Sequence, residues 1–387
     1  MTRARLYLDH NATSPMPEVA IEAMMPFFRE LSANPSSRHE PGEHARVALE
    51  NARAQIAATF GARPAELTFT SGATESINWA IRGVLASRPG KMRIVTSVTE
   101  HPVSLDIVDR LEREGYEVLR LPVDGDGVLD PGSVAAALND DTALLSLIGA
   151  NNETGVRFDI DVIGELARSK GVPFHVDAVQ LAGKEPQLMR DHPIDLLSFG
   201  GHKFGASKGV GGLIVRRGTR IRPLFWGGHQ EGGKRSGTEN LASVVGMAVA
   251  LDYSHQQWAA HAVEIGRQRD RLQLGLQSGV QAAGEKLLVN GGGAPRIENT
   301  LNVCFHGIEG IAIVLTLSQK GIDVSSGSAC SASDPGPSPV LLGMGVPNDY
   351  IHGAVRFSLA PGHSESDIDF AIEQTLAAWN HVRRVNT

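Results

Sequence analysis

A chain of 387 residues with 42 % hydrophobic content is long enough to bury a sizeable core, which excludes a disordered or fibrous protein and leaves room for two domains. Its 36 Lys+Arg against 43 Asp+Glu give a formal net charge of -7, and no long basic block interrupts that balance, so direct nucleic-acid and anionic-membrane partners gain no support. The two cysteines, Cys304 and Cys330, form no Cys-x-x-Cys pattern, which excludes a disulfide scaffold and a cysteine-rich metal site and suits a reducing compartment.

The opening MTRARLYLDHNATSP reaches Asp9 with no long apolar core, and no apolar run of about 18 residues follows anywhere, so a cytoplasmic, uncleaved chain is expected. Strand-length apolar runs then alternate with helical patterns: ELTFTS before TESINWAIRGVLA, RIVTSV before VSLDIVDRLEREG, ALLSLIGA before DVIGELARSKG, then VPFHVDA, DLLSFGG and VGGLIVRR. Such alternation predicts an α/β fold, a mostly parallel sheet with helices on both faces. Residues 256–274 (QQWAAHAVEIGRQRDRLQL) predict a long amphipathic helix, followed by a Gly-rich turn at 290–293, the strand TLNVCF and a closing helix. We expect a large domain over residues 16–255 and a smaller α+β domain over 256–387, with 1–15 packed on the smaller one and a continuous helix bridging the boundary.

In an open parallel sheet the carboxyl ends of the strands form the ligand crevice. Here those ends deliver Ser71, Gly72, Ala73 and Thr74; Glu100 and His101; Asn151 and Asn152; Asp177 and Gln180; and Gly200, Gly201, His202 and Lys203. Ser-Gly-Ala-Thr-Glu at 71–75 opens a helix, and reads either as plain tight-turn chemistry or as a phosphate site made of backbone N–H groups and the Thr74 hydroxyl. Asp177 reads as a helix N-cap, or as an ionised carboxylate facing a heteroaromatic nitrogen.

Lys203 follows a buried strand amid glycines. There it forms a structural salt bridge, or a partly desolvated, nucleophilic amine competent for a Schiff base. His101, before Pro102, projects from a strand end where an imidazole can stack on a flat ring and move protons. Cys330 lies in SSGSACSASDPGPSPV, which has almost nothing to pack in a core, so an exposed and reactive thiol is expected. Cys304, in TLNVCF, has the context of a small core hydrophobe.

These residues resemble the NifS/IscS-type cysteine desulfurases, within the class V aminotransferase, fold-type I superfamily. The resemblance runs through YLDHNATSP at 7–15, NPSSRHEPG at 34–42, FTSGATES at 69–76, TEHPV at 99–103, ANNETG at 150–155, HVDAVQ at 175–180, SFGGHK at 198–203, KRSGTEN at 234–240, SSGSACSAS at 325–333 and VRFSL at 355–359. It implies a seven-stranded sheet in the large domain and pyridoxal 5'-phosphate as cofactor, held as a Schiff base by Lys203. Asp177 would pair with the pyridinium nitrogen, Gln180 with the ring hydroxyl and His101 with the ring face. Ala73, Thr74, His202 and the position of Gly200 would surround the phosphate, with Thr238 reaching the cofactor of a second subunit in a homodimer. Asn152 and Arg356 would hold the carboxylate of L-cysteine. Cys330 would take the sulfur as a persulfide for an acceptor protein, serving iron–sulfur cluster biogenesis, tRNA thiolation, a thio-cofactor or DNA phosphorothioation.

Three positions depart from the family pattern. Gly200 stands where serine is usual, Trp226 where a small residue or histidine is common, and Gly232 where arginine is frequent; the loop also reads DPGPS in place of Glu-Pro-Ser. The competing readings are a selenocysteine lyase, another class V transaminase or lyase that does not use Cys330, and a non-catalytic sulfur-relay protein. The intact Lys203, His101 and Asp177 argue against the last.

Overall fold

The structure, a computed structural model, describes residues 5–327 and 336–385. Its strands, in chain order, are β1 (Leu6–Tyr7), β2 (Leu67–Thr70), β3 (Arg93–Ser97), β4 (Glu117–Leu121), β5 (Thr142–Ile148), β6 (Phe174–Asp177), β7 (Leu196–Gly200), β8 (Gly211–Val215), β9 (Leu287–Asn290), β10 (Thr300–Phe305), β11 (Ile322–Asp323), β12 (Ser325–Ser326) and β13 (Ala354–Ser358). The main sheet has seven strands in the order β2-β8-β7-β6-β5-β3-β4. β8 runs antiparallel to both neighbours and every other pairing is parallel. β5 and β7 are buried along their whole length, as strands covered on both faces by helices must be.

β4 is the strand that the alternation of apolar runs did not mark. It closes one edge of the sheet, so its sequence EVLRL needs no continuous apolar run, and Glu117 pairs with Arg93 of β3 at 2.9 Å. At the other side of the sheet, β8 packs closely on β7. A Cβ at Gly212 would lie 2.4 Å from Cζ of Phe199, so this approach requires glycine.

A second sheet, β12-β13-β10-β9, is antiparallel throughout, and β1 pairs in parallel with β11. The N-terminal strand thus joins the C-terminal part of the chain, and Leu6 and Leu8 share a hydrophobic cluster with Trp258, Leu272, Phe305, Phe357 and Trp379. The helix predicted over 256–274 in fact spans Leu241–Ala282. Its first quarter, LASVVGMAVAL, is buried almost without interruption, so it lacks the one-sided periodicity by which the later turns, with Ile265, Leu272, Leu276 and Val280, could be read.

Beneath the carboxyl edge of the main sheet, His175 of β6 is fully buried and bridges its neighbours. Its Nδ1 lies 2.8 Å from Ser146 Oγ of β5, and its Nε2 lies 2.8 Å from Ser198 Oγ of β7. Burial pushes its pKa down to about 3, so the folded protein keeps it neutral.

Two outcomes test this account. Phe199 is fully buried and its ring packs on Phe60 with centroids 4.8 Å apart; Phe199→Ala should destabilise by about 3–5 kcal/mol, read as a lowered urea midpoint. His175 titrates near 6.5 when unfolded, so its contribution is present above that pH and lost as pH falls towards 3, at about 1.4 kcal/mol per pH unit. His175→Asn should be less stable at neutral pH yet lose stability less steeply between pH 6.5 and 4. Urea unfolding at a series of pH values measures both, and identical pH slopes would refute the assignment.

Candidate functional site

The strand ends converge on a cavity of about 580 Å³ lined by, among others, Thr74, His101, Asn152, Asp177, Gln180 and Lys203. Each arrives for a local reason. Gly72, at φ 148°, turns the chain from β2 into the helix Ala73–Ser87, whose N-terminus no side chain caps. An N-terminus left open in this way offers N–H groups and a favourable dipole to an anion. Ala73 and Thr74 sit on that first turn and face the cavity.

His101 caps the helix Pro102–Arg113, its Nδ1 accepting the Val103 N–H at 3.1 Å. An accepting Nδ1 leaves the ring proton on Nε2. Burial, with a smaller contribution from the Lys203 charge, pushes its pKa down to about 4, so the ring is neutral at ordinary pH. Asp177, at the end of β6, accepts the Val179 N–H at 3.0 Å. Burial raises its carboxyl to about 6, against the opposing pull of that hydrogen bond and of Lys203. Such a carboxyl gains most from a cationic partner in the cavity. No helix directly follows Asp177, so the bond to Val179 caps a turn and not a helix, and the carboxyl lines the cavity.

Lys203 lies in a short 3-10 turn directly after β7. Its ammonium donates to the Asn11 carbonyl at 2.7 Å and the Ala12 carbonyl at 3.1 Å. Gln180 Nε2 reaches the same Asn11 carbonyl at 3.2 Å, Ser14 Oγ bonds the Lys203 carbonyl at 2.9 Å, and His202 Nδ1 lies 3.3 Å from Thr13 Oγ1. The segment Asn11–Ser14 thus supports the lysine mainly through its backbone. Nothing in its side chains advertised that role. A second lysine was also missed. Half-buried Lys184, its pKa pushed down to about 7, donates to the Gln180 carbonyl at 2.9 Å and lies 5.3 Å from the Trp258 ring centre.

Asn152 is buried with its Oδ1 left without a hydrogen-bond partner, which is costly unless a ligand supplies a donor. Arg356, on β13, is not in the cavity wall but directly behind it, donating from Nη1 to the Asn152 carbonyl at 3.0 Å and from Nη2 to Asp9 at 2.7 Å. Its Nε also lacks a partner among the described residues. Thr238 is exposed and does not line this cavity. Cys330 lies outside the described residues. Cys304 is buried, its thiol pushed up to about 12, and it accepts a hydrogen bond from Asn290 at 3.1 Å, the surroundings of an inert thiol.

Two of the three departures have a local cause. A Cβ at Gly200 would lie 3.2 Å from Cβ of Ala73, a tight contact between β7 and the first turn of the helix Ala73–Ser87. Gly232 adopts φ 63°, a left-handed conformation that favours glycine over arginine. Its neighbour Glu231 anchors the loop by pairing with Arg53 at 2.7 Å. Trp226 is 79 % exposed, and nothing in the structure explains the choice of tryptophan there.

The groups present fit pyridoxal 5'-phosphate, since an anion-ready helix N-terminus, a buried carboxyl, a neutral histidine and a lysine all line one cavity. Comparison with known proteins points the same way. The family model for class-V aminotransferases matches residues 6–370. A cysteine desulfurase from Klebsiella pneumoniae is 45 % identical over 371 residues, covering 95 % of this chain and 91 % of its own. A NifS-like protein of known structure superposes with a TM-score of 0.89 at 34 % identity, covering 97 % of this chain and all of that one. The structure of SspA in complex with cysteine superposes with a TM-score of 0.78 at 32 % identity, covering 92 % of this chain and 99 % of that one. The chain belongs to the class-V aminotransferase family, in its cysteine desulfurase branch.

Proposed function

We propose that this chain converts L-cysteine to L-alanine with pyridoxal 5'-phosphate and hands the sulfur to an acceptor protein by way of Cys330. The observation that carries this is the convergence of Lys203, Asp177, His101 and the open helix N-terminus on one cavity. The relative solved with cysteine supports the substrate.

Held by Lys203, the cofactor supplies an electron sink that makes the Cα proton of a bound amino acid removable. Ala73, Thr74 and His202 would hold its phosphate, and Asp177 would keep its ring nitrogen protonated. Asn152 and Arg356 bind the carboxylate of cysteine, Arg356 using the N–H groups that Asp9 and the Asn152 carbonyl leave available. The Lys203 amine, once freed, carries the Cα proton. His101 presents a neutral ring with its proton on Nε2, able to protonate or deprotonate the substrate without opposing the lysine's charge.

The Cys330 thiolate attacks the substrate sulfur. A new S–S bond forms as the C–S bond breaks, the electron pair stays on carbon, and a proton completes alanine. The persulfide on Cys330 then passes its outer sulfur to a thiol of the acceptor. Thr238, exposed and off its own cavity, suits a role at the cavity of a second copy, which makes the working unit a homodimer. The hydrophobic cluster that joins Leu6 and Leu8 to Trp258 and Trp379 supports a smaller domain over 256–387 with residues 1–15 upon it, beside a cofactor-binding domain over 16–255. No helix among the described residues is long and apolar enough to cross a membrane, and cytoplasmic residence suits a free catalytic thiol.

The purified protein should be yellow and should release alanine from L-cysteine in the presence of a reductant. Lys203→Ala should lose the visible absorbance, and unchanged absorbance would show that another lysine holds the cofactor. Cys330→Ala should keep the colour but lose turnover by several orders of magnitude, as removal of a catalytic nucleophile does. Full turnover in that variant would favour a class V lyase that does not use the thiol.

A further inference from the structure

Asn11 does not line the cofactor cavity, although its neighbours Ala12 and Thr13 do. It is buried, and each of its hydrogen-bonding groups is in use. Its N–H donates to Ser358 Oγ at 2.9 Å, and its carbonyl accepts from Lys203 Nζ at 2.7 Å and from Gln180 Nε2 at 3.2 Å. Its side-chain Nδ2 donates to Thr300 Oγ1 at 2.8 Å and to the Asn152 carbonyl at 3.2 Å. Its Oδ1 accepts from Asn299 Nδ2 at 3.0 Å.

These partners admit one orientation of the carboxamide. The Thr300 hydroxyl gives its proton to Asn299 Oδ1 at 3.1 Å, so towards Asn11 it acts as an acceptor. The Asn152 carbonyl only accepts and Asn299 Nδ2 only donates. A flipped carboxamide would turn its oxygen to the Asn152 carbonyl and its N–H groups to those of Asn299, and in a buried network each such mismatch leaves a polar group unpaired. The supports are themselves held. Thr300 opens β10 and pairs with Ser358 of β13, and Asn299, Thr300 and Ser358 are all buried. The backbone of Asn11 is thus gripped through its N–H by Ser358 and through its side chain by Asn299 and Thr300, which leaves its carbonyl little freedom to turn.

We propose that Asn11 is a positioning residue for the catalytic lysine: its carboxamide, seated on Asn299 and Thr300, fixes the carbonyl that carries the Lys203 amine and ties it to the backbone of Asn152. This rests on the reading of Lys203 as the residue that holds the cofactor. The step it serves is capture, in which the Lys203 amine adds to the aldehyde carbon of pyridoxal 5'-phosphate, a C–N bond forms and water leaves. Misplacing a reacting group by about 1 Å can cost about a hundredfold, so a loosened carbonyl should slow capture while the cavity that receives the cofactor stays intact.

The full chain is stripped of cofactor and mixed with saturating pyridoxal 5'-phosphate, and capture is timed by the rise of visible absorbance. Pyridoxine 5'-phosphate, an alcohol that cannot bond to Lys203, is titrated separately by calorimetry. Asn11→Ala should slow capture about tenfold, the scale of a partly misplaced reacting group. Thr300→Val, which keeps the shape but removes the acceptor, should slow it about threefold, the scale of one neutral hydrogen bond. Because Thr300 acts through Asn11, the double variant should match Asn11→Ala within about twofold, and all three should bind the alcohol within about twofold of the parent. Unchanged capture in both single variants would overturn the proposal, as would an equal loss of affinity for the alcohol, the mark of general damage to the cavity. If Asn11→Ala does not fold, Thr300→Val decides. Should Lys203→Ala still acquire the visible band, the reading of Lys203 falls and the proposal with it. A colourless Lys203→Ala beside unchanged capture in the other variants would sink the proposal alone.

Discussion

The ammonium of Lys203, held on the carbonyls of Asn11 and Ala12, is the contact on which the arrangement turns. Lys203 comes from the main sheet. Asn11 and Ala12 follow a strand that belongs with the C-terminal part of the chain, through the pairing of β1 with β11. One polar contact thus ties the two hydrophobic clusters together at the place where the chemistry happens. Backbone carbonyls are apt for this duty, because they hold an amine without neutralising it and release it without leaving a charge behind.

The surrounding electrostatics follow from burial more than from ion pairing. His101, His175 and His202 are all pushed towards the neutral form, and desolvation is the leading cause in each case. Asp177, Glu100 and Glu153 are raised by the same force. A site built this way has little fixed charge of its own and takes its polarity from what it binds. That suits a cofactor bringing a phosphate and a protonatable ring, and it makes the choice of each buried carboxyl consequential.

Much of this was legible in the amino-acid order because strand ends in a parallel sheet are predictable places, and the residues there, from Thr74 to Lys203, are polar where a core would be apolar. The edge strand β4 and the first quarter of the Leu241–Ala282 helix were not, one because an edge needs no apolar run and the other because nearly complete burial erases periodicity. The Asn11–Ala12 carbonyls could not be read at all, since a backbone group carries no mark in a sequence. Asn11 and Asn299 are 288 positions apart, and only the fold brings them to one hydrogen bond. Gly200 and Gly232 looked like losses against the family pattern, and the tight contact with Ala73 and the left-handed turn supply reasons for them.

The helix Leu241–Ala282 has a bearing on how the enzyme can move. At 42 residues it is about 63 Å of unbroken shaft, with its first turns in the main core and its later ones in the C-terminal cluster. A rod seated at both ends resists bending between its seats. Any hinge between the two hydrophobic clusters would have to bend this helix or leave its packing on one of them.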